Sequence, residues 1–426
     1  MGIKDLLTPE EQKLLPKLSG EGGEEKNTKQ PTLPPFPIED LPWPYRDLLE
    51  LIAPTTEAPI EGLLLAIFCA LGAALGRKVA FPTTPILYPM IWGLLLAPPY
   101  FYRKGSVLWW AVEIARMIIP ELKTLNGLGS IERANKNLSE REGVKLFCRV
   151  AELCGTISKA QRSGTSNLIP DLCDLYDHVD GWEMGTKDSK PCVGYEFTLL
   201  GLSTLKALRP IFRETYISGG FLRRLVIVQA SERPPVPDQP LIDREKLQNI
   251  VHEIKGHISQ YGPQTTLTGL DPEAKKHYAK WYIPWREKCL KLPEHQMEVV
   301  GGTESLIRKL ALQRAAIERK REIPLEILAW AIRWAERFQA HALAIAGQLG
   351  LSYTREIEER IIKLLEKAPR RPWEIQRGLH EPPPAMKLRQ ILDGMVDMGM
   401  ITTWGVAKPN KGAGDWYGIR GSEPSQ

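Results

Sequence analysis

Lys104 and Ser106 are the residues best placed to do chemistry, in the stretch PILYPMIWGLLLAPPYFYRKGS (residues 85–106). An apolar run bounded by prolines, Ile91–Ala97, fits a buried strand. A seven-residue connection, Pro98–Lys104, follows it, and Val107–Ile119 is amphipathic. Strand, short loop, Lys and hydroxyl, then helix is the order of parts in a P-loop nucleotide site. There the loop N–H groups and the helix N-terminus face the phosphates, the Lys reaches the β- and γ-phosphates, and the hydroxyl holds Mg²⁺. The spelling departs from GxxxxGK[ST]: Pro98 and Arg103 occupy the two glycine positions, and Gly105 separates Lys104 from Ser106. The same residues would also make a basic, solvated strand-to-helix turn, and both alternatives stay open at this point.

Three further positions could complete phosphoryl-transfer chemistry, which is mostly positioning and charge neutralisation. Glu152 follows the apolar stretch Val144–Val150 and would polarise an attacking water or order Mg²⁺ through water; the plain alternative is an exposed Glu at a strand end. Ser203 or Thr204, just past Tyr195–Leu202, could sense a γ-phosphate, although a capping hydroxyl before Leu205 explains the pair as well. Arg224, with Arg223 beside it, precedes the apolar Leu225–Gln229. It could reach a neighbouring subunit's γ-phosphate as an arginine finger, worth about 10³–10⁵ in rate where one operates. Its alternative is a pair of solvated arginines. Near the C-terminus, Lys387, Arg389 and Gln390 lie near the start of a predicted helix, where recognition helices place base and phosphate contacts. Lys408 and Lys411 lie in a loop that would meet phosphates. From Arg370 to Arg420 eight Lys/Arg stand against five Asp/Glu, a small positive excess that a protein-binding module could also carry.

The elements that must position these residues can be read from periodicity. Residues 1–35 are polar and rich in Gly and Pro, with a short helix expected around Pro9–Lys17 and then a tether. Tyr45–Ile52 and Pro59–Gly76 are expected helices, the second apolar on nearly all sides and therefore buried. Val79–Pro85, Ile91–Ala97, Val144–Val150, Tyr195–Leu202 and Leu225–Gln229 are expected strands. The Gly-Ser-x-Glu within Thr124–Asn137 suits a helix start, and Asn167–Tyr176 places Leu168, Leu172 and Leu175 on one helical face. Strands alternating with helices argue for a mostly parallel sheet. From Asp243 the pattern is all helical: Asp243–Tyr261, Pro272–Leu292, Glu304–Lys320 and Leu325–Leu349. Thr354–Lys367, Pro372–Leu379 and Pro384–Met398 follow as three helices. Short strands at Met400–Thr403 and Asp415–Ile419 flank a Lys-bearing loop, Val406–Gly414, which is the winged-helix order.

Composition narrows the function classes. The chain has 426 residues, 43% hydrophobic and 25% charged, with a net charge of +5, as in a mildly basic globular protein. Such a charge permits a polyanionic partner without demanding one. The most apolar segment, Ile60–Leu75, carries Glu61 and is followed by Arg77 and Lys78; it is shorter than the ~20 residues of a membrane span. Six cysteines without CxxC or Cys/His ligand spacing and no visible signal peptide read as reduced thiols in the cytoplasm. Seven histidines form no HExxH or HxH, and no Gly-x-Ser-x-Gly is present, which argues against metal-hydrolase and serine-hydrolase chemistry.

Taken in order, these segments resemble the P-loop, helicase-like proteins found beside or fused to primase–polymerase domains in phages, plasmids and other mobile elements. That family's phosphate loop resembles Arg103-Lys104-Gly105-Ser106, and its next helix start resembles Gly127-Leu128-Gly129-Ser130-Ile131-Glu132. Its acidic strand end is similar to Val150-Ala151-Glu152. Its later motifs are similar to Leu172–Asp177, Thr186-Lys187 and Gly219–Leu225, followed by Arg233-Pro234-Pro235. Glu304-Ser305-Leu306-Ile307-Arg308 also resembles the lid helix of minichromosome-maintenance helicases.

The resemblance implies an α/β fold: a RecA-like or AAA-like P-loop core with an N-terminal helical segment, an all-α lid and a C-terminal winged helix. The expected boundaries are a tail over 1–36, helices over 37–84, the core over 85–240, the lid over 241–350, the winged helix over 351–421 and a short tail over 422–426. It implies ATP with Mg²⁺ bound by Arg103, Lys104, Gly105 and Ser106, and turnover through Glu152, Ser203 and Arg224. The expected partners are DNA, further copies of the chain in a ring such as a hexamer, and a separate primase or polymerase. The expected role is a replication ATPase, helicase or origin-remodelling motor. A degenerate, non-hydrolysing relative acting as DNA-binding initiator, helicase loader or scaffold is the alternative.

Overall fold

The computed structural model describes residues 33, 35–98, 103–162, 168–178, 180–183, 190–208, 220–262, 264–379, 382–405 and 415–419. The expected helix at Pro9–Lys17, most of the loop before Arg103, Thr186-Lys187, and the wing residues Lys408 and Lys411 lie outside them.

A five-stranded parallel sheet forms the centre, in the order β3 (Lys123–Asn126), β4 (Lys145–Val150), β7 (Glu196–Ser203), β2 (Trp92–Leu96), β8 (Leu225–Gln229). Every residue of β2 and β7 is buried, as near-continuous apolar runs require when helices cover both faces of a parallel sheet. Along β2 the faces alternate: Trp92, Leu94 and Leu96 join one core and Leu95 the other. Helices α2 (Ile60–Leu75), α3 (Lys104–Ile118), α8 (Arg244–Ser259), α11 (Thr303–Ile317) and the first half of α12 (Leu325–Leu365) share the second core. Helices α4 (Ile131–Leu138), α5 (Leu153–Arg162), α6 (Leu168–Asp177) and α10 (Glu294–Val300) share the first, together with Trp182 and Cys192 of the antiparallel pair β5 (Gly181–Trp182) and β6 (Cys192–Val193). The protein is therefore a mixed α/β fold with a central parallel sheet between helical layers.

The aromatic run of α12 anchors the helical region to the N-terminal segment. Trp330 and Trp334 are buried, and Tyr45 from α1 (Tyr45–Ile52), Phe68 from α2, and Phe36 pack against them with ring centroids 5.6–6.3 Å apart, Phe36 stacked on Trp334 and the others tilted or edge-on. Helix α9 (Pro272–Cys289) lies outside, its Trp281 and Trp285 indoles donating to Glu336 (2.9 Å) and Gln339 (3.0 Å) of α12. A separate small core joins the end of α12 to α13 (Pro372–Gly378), α14 (Ala385–Asp397) and the hairpin β10 (Thr402–Gly405)–β11 (Asp415–Gly418). No described helix is long and apolar enough to cross a membrane, and α2 is buried along almost its whole length.

Several expectations shift. The strand expected at Val79–Pro85 is the two-residue β1 (Val79–Ala80), which pairs with β9 (Thr266–Leu267). The segment Thr124–Asn137 is divided: Lys123–Asn126 is the edge strand β3, and the helix begins at Ile131. Helix α3 starts at Lys104 rather than Val107. The two helices expected over Leu325–Leu349 and Thr354–Lys367 are one 41-residue helix, so the boundary expected at residue 350 falls inside α12.

Candidate functional site

Register brings the candidates to one end of the sheet. Val150 pairs with Gly201, and Leu96 pairs with both Ser203 and Gln229. Two residues beyond Val150, Glu152 is therefore level with Ser203, at the carboxyl ends of β4, β7 and β2. Strand order reverses beside β2, because β3, β4 and β7 lie to one side of it and β8 to the other. The crevice outside the carboxyl ends at such a reversal is where open α/β sheets bind ligands.

Lys104 opens α3 directly after this edge. Its Nζ donates to Glu152 Oε1 at 3.1 Å, reaching across the end of β7, which separates β2 from β4 by about 10 Å. The two residues are 48 apart in sequence, so the fold alone brings them together. No side chain caps α3, and the residue before it, Arg103, is left-handed at φ 39° and ψ 33°. A left-handed residue followed by helical ones turns successive N–H groups toward one concave point, a geometry that binds anions. The Ser106 N–H closes this turn on the Arg103 carbonyl at 2.9 Å. The Arg103 guanidinium points to Glu57 at 3.4 Å. Glu57 also accepts the Val236 N–H at 2.9 Å, and that bond, with Arg103 beside it, holds its carboxyl below the ordinary range.

Ser203 is fully buried, and its hydroxyl has the Cys154 thiol, a weak hydrogen-bonding group, as its neighbour. Thr204 instead caps α7 (Leu205–Leu208), its Oγ1 accepting the Ala207 N–H at 3.2 Å. The two adjacent hydroxyls of the sequence thus do different things: one caps a helix and one is buried beside a thiol.

Arg224 sits elsewhere. It precedes β8, so it lies at the amino-terminal edge of the sheet, a strand length of about 15 Å from Lys104 and Glu152. Asp177 takes both sides of its guanidinium, Nε at 3.1 Å and Nη2 more closely, and the Gly220 carbonyl accepts from Nη1. Asp177 has no obvious sequence signal as its partner, because the two are 47 residues apart on different elements.

Lys387, Arg389 and Gln390 are on α14 as expected, with Leu388, Ile391, Leu392 and Met395 turned to the core and Arg389 and Gln390 exposed. Among the described residues no group of three or more His, Cys, Asp or Glu could hold a metal ion. Burial pushes the Cys148 and Cys154 thiols up to about 12 and the Cys173 and Cys192 thiols up to about 11, which leaves them protonated and poor nucleophiles. Sequence inspection missed Lys309 of α11, which is nine-tenths buried. The available signal was its spacing: Lys309 and Gln313 sit among Leu306, Leu310 and Ile317 on a face that otherwise reads as core. In comparisons with known proteins, no family model and no curated protein matches the chain, so the site is read from its own geometry.

Proposed function

We propose that the chain is a replication-associated P-loop ATPase of a mobile element. It would assemble as a ring and act on DNA as a helicase or origin-remodelling motor. The observation that supports this most is the Lys104–Glu152 pair beside an uncapped helix start, at the carboxyl end of a parallel sheet. Triphosphate would take the place of Glu152 on Lys104 and accept from the N–H groups of Lys104 and Gly105, after the left-handed Arg103. The residues fit Mg²⁺ held largely through phosphate and water, because Ser106 and Glu152 offer one hydroxyl and one carboxylate. Bound there, Mg²⁺ would neutralise developing phosphate charge. Glu152, released from Lys104, would orient the attacking water, and the buried Ser203 hydroxyl would donate to the terminal phosphate. Arg224 would act on a neighbouring copy after exchanging Asp177 for phosphate. At the C-terminus, three helices and a hairpin around their own core support a winged helix whose α14 faces DNA with Arg389 and Gln390.

The test is Mg²⁺-dependent ATP binding and turnover, with and without DNA, on the wild type and on Lys104→Ala. DNA-stimulated turnover lost in the variant supports the proposal; no binding by the wild type overturns it. A second reading, a non-hydrolysing DNA-binding initiator, helicase loader or scaffold, is favoured by the engagement of Arg224 with Asp177. It expects Lys104→Ala to leave DNA binding and oligomer assembly unchanged.

A further inference from the structure

At the amino-terminal edge of the sheet, opposite the Lys104 site, lies a cleft with an inner cavity of about 30 Å³. Trp92, Tyr176, Arg223, Arg224, Thr303 and Lys309 line it. Lys309 is 5% exposed. Its ammonium donates to the Met90 carbonyl (2.8 Å) and to the Tyr176 hydroxyl (2.5 Å), and no carboxylate pairs with it among the described residues. A buried charge without a counter-charge is costly, and neutral oxygens compensate it only in part. Tyr176 carries two cations on its ring: Lys309 Nζ at 4.3 Å and Arg224 Cζ at 5.9 Å from the centroid.

Two more features add positive potential. The fifteen-residue helix α11 starts at Thr303 with Gly302 as its N-cap and no side-chain cap, and both residues line the cleft, which puts the positive end of the helix dipole beside it. Gly302 is needed there, because a Cβ would stand 1.9 Å from the Arg223 carbonyl oxygen. Arg223 itself is exposed and makes no ion pair among the described residues. Of the three cations Lys309, Arg223 and Arg224, Arg224 is engaged by the Asp177 carboxylate.

We propose that this cleft binds a phosphoryl group, with Lys309 as the buried charge partner, Arg223 as the outer one, and the start of α11 supplying N–H donors. The inner cavity has room for one or two oxygens of such a group and not for a whole nucleotide. The group enters from the open side. It is either free phosphate or the terminal phosphate of a nucleotide on a second copy, and in the second case the inference rests on the proposal above. Nothing in it depends on Lys104 of the same chain.

The test is thermal unfolding of the full chain carrying Lys104→Ala, which removes the other phosphate site, titrated with inorganic phosphate. Free phosphate as ligand raises the melting temperature with dose, and adding Lys309→Met or Arg223→Ala removes or sharply reduces the rise. Nucleotide-borne phosphate as ligand leaves that titration flat. It then gives wild-type chain with MgATP a stabilisation that grows with protein concentration and is lost on Arg223→Ala. If Lys309→Met fails to fold, Arg223→Ala, an exposed substitution, decides alone. A flat response in both arms, or a full response retained by Arg223→Ala, overturns the inference and leaves Lys309 as a strut for the Met90 carbonyl.

Discussion

Glu152→Gln should separate nucleotide binding from turnover. Lys104 Nζ is 3.1 Å from Glu152 Oε1, with the side chains 23% and 55% exposed. A pair this open to water is worth about 0.2–1 kcal/mol to the fold. Neither Glu152→Gln nor Lys104→Ala should therefore move the melting temperature by more than about 2–4 °C. Binding should respond more strongly. A charge-assisted hydrogen bond from Lys104 to phosphate is worth about 1.5–3 kcal/mol, so Lys104→Ala should weaken MgATP by about 10- to 150-fold. Glu152 competes with phosphate for Lys104 and repels it. Its removal should leave affinity unchanged or raise it by up to about fivefold, the equivalent of the lost ion pair. Turnover should fall by about 10²-fold or more, because the group that positions the water is gone. Calorimetric titration of MgATP into the three proteins, with single-turnover hydrolysis, measures both quantities. Wild-type affinity in Lys104→Ala, or a tenfold loss of affinity in Glu152→Gln, would refute the assignment of these two residues.

Gly76 ends α2 at φ 50° and ψ −127°, and a Cβ there would stand 2.1 Å from Glu196 Oε2. Gly76→Ala should cost about 1–3 kcal/mol in backbone strain before the clash is counted, measurable by urea unfolding. Glu196 is buried, and that desolvation raises its carboxyl pKa against the opposing pull of Lys145 (3.7 Å) and the Arg77 N–H (3.1 Å). The folded chain thus keeps a proton that the unfolded chain releases near pH 4.5, so this group's contribution to stability falls as pH rises above that value. Glu196→Gln should flatten the stability profile across this window, and a profile parallel to the wild type would show that Glu196 does not cause the slope. On α14, Arg389→Ala should weaken DNA binding and lower its salt slope by about 1, whereas Gln390→Ala should weaken it without changing the slope. Fluorescence anisotropy over a salt series distinguishes the two.

Much of the scaffold was legible because burial leaves a local mark. The runs of β2 and β8 read as strands, and α2 read as a buried helix, since each is covered on most sides and carries almost no polar residues, while β4 and β7 read as strands from the apolar residues between their polar ends. The edge strand β3 was missed. Its sequence, Lys-Thr-Leu-Asn, buries only Leu125, and the Gly-rich turn after it looks like a helix start. The continuity of α12 was missed for a different reason. Gly347, Gly350 and Ser352 weaken local helix propensity, yet the packing of Ile345, Ala346 and Leu349 on the sheet core and of Ile357 and Ile361 on the C-terminal core carries the helix through.

The sequence by itself determined which residues could do chemistry and which end of each strand they occupy. Periodicity identifies the buried face of an element, and the residue after an apolar run marks its end. Tertiary structure decided which ends meet. Strand order is set by crossovers and by the packing of two helical layers, and no local pattern records it. That order places Glu152 within reach of Lys104 across β7 and sends Arg224 to the opposite edge, where it pairs with Asp177. It also turns Lys309, one polar residue on an apolar helical face, into a buried cation beside two arginines. A side chain's charge is written in the sequence; its electrostatic partner depends on which distant segments the folded core brings within a few ångströms of it.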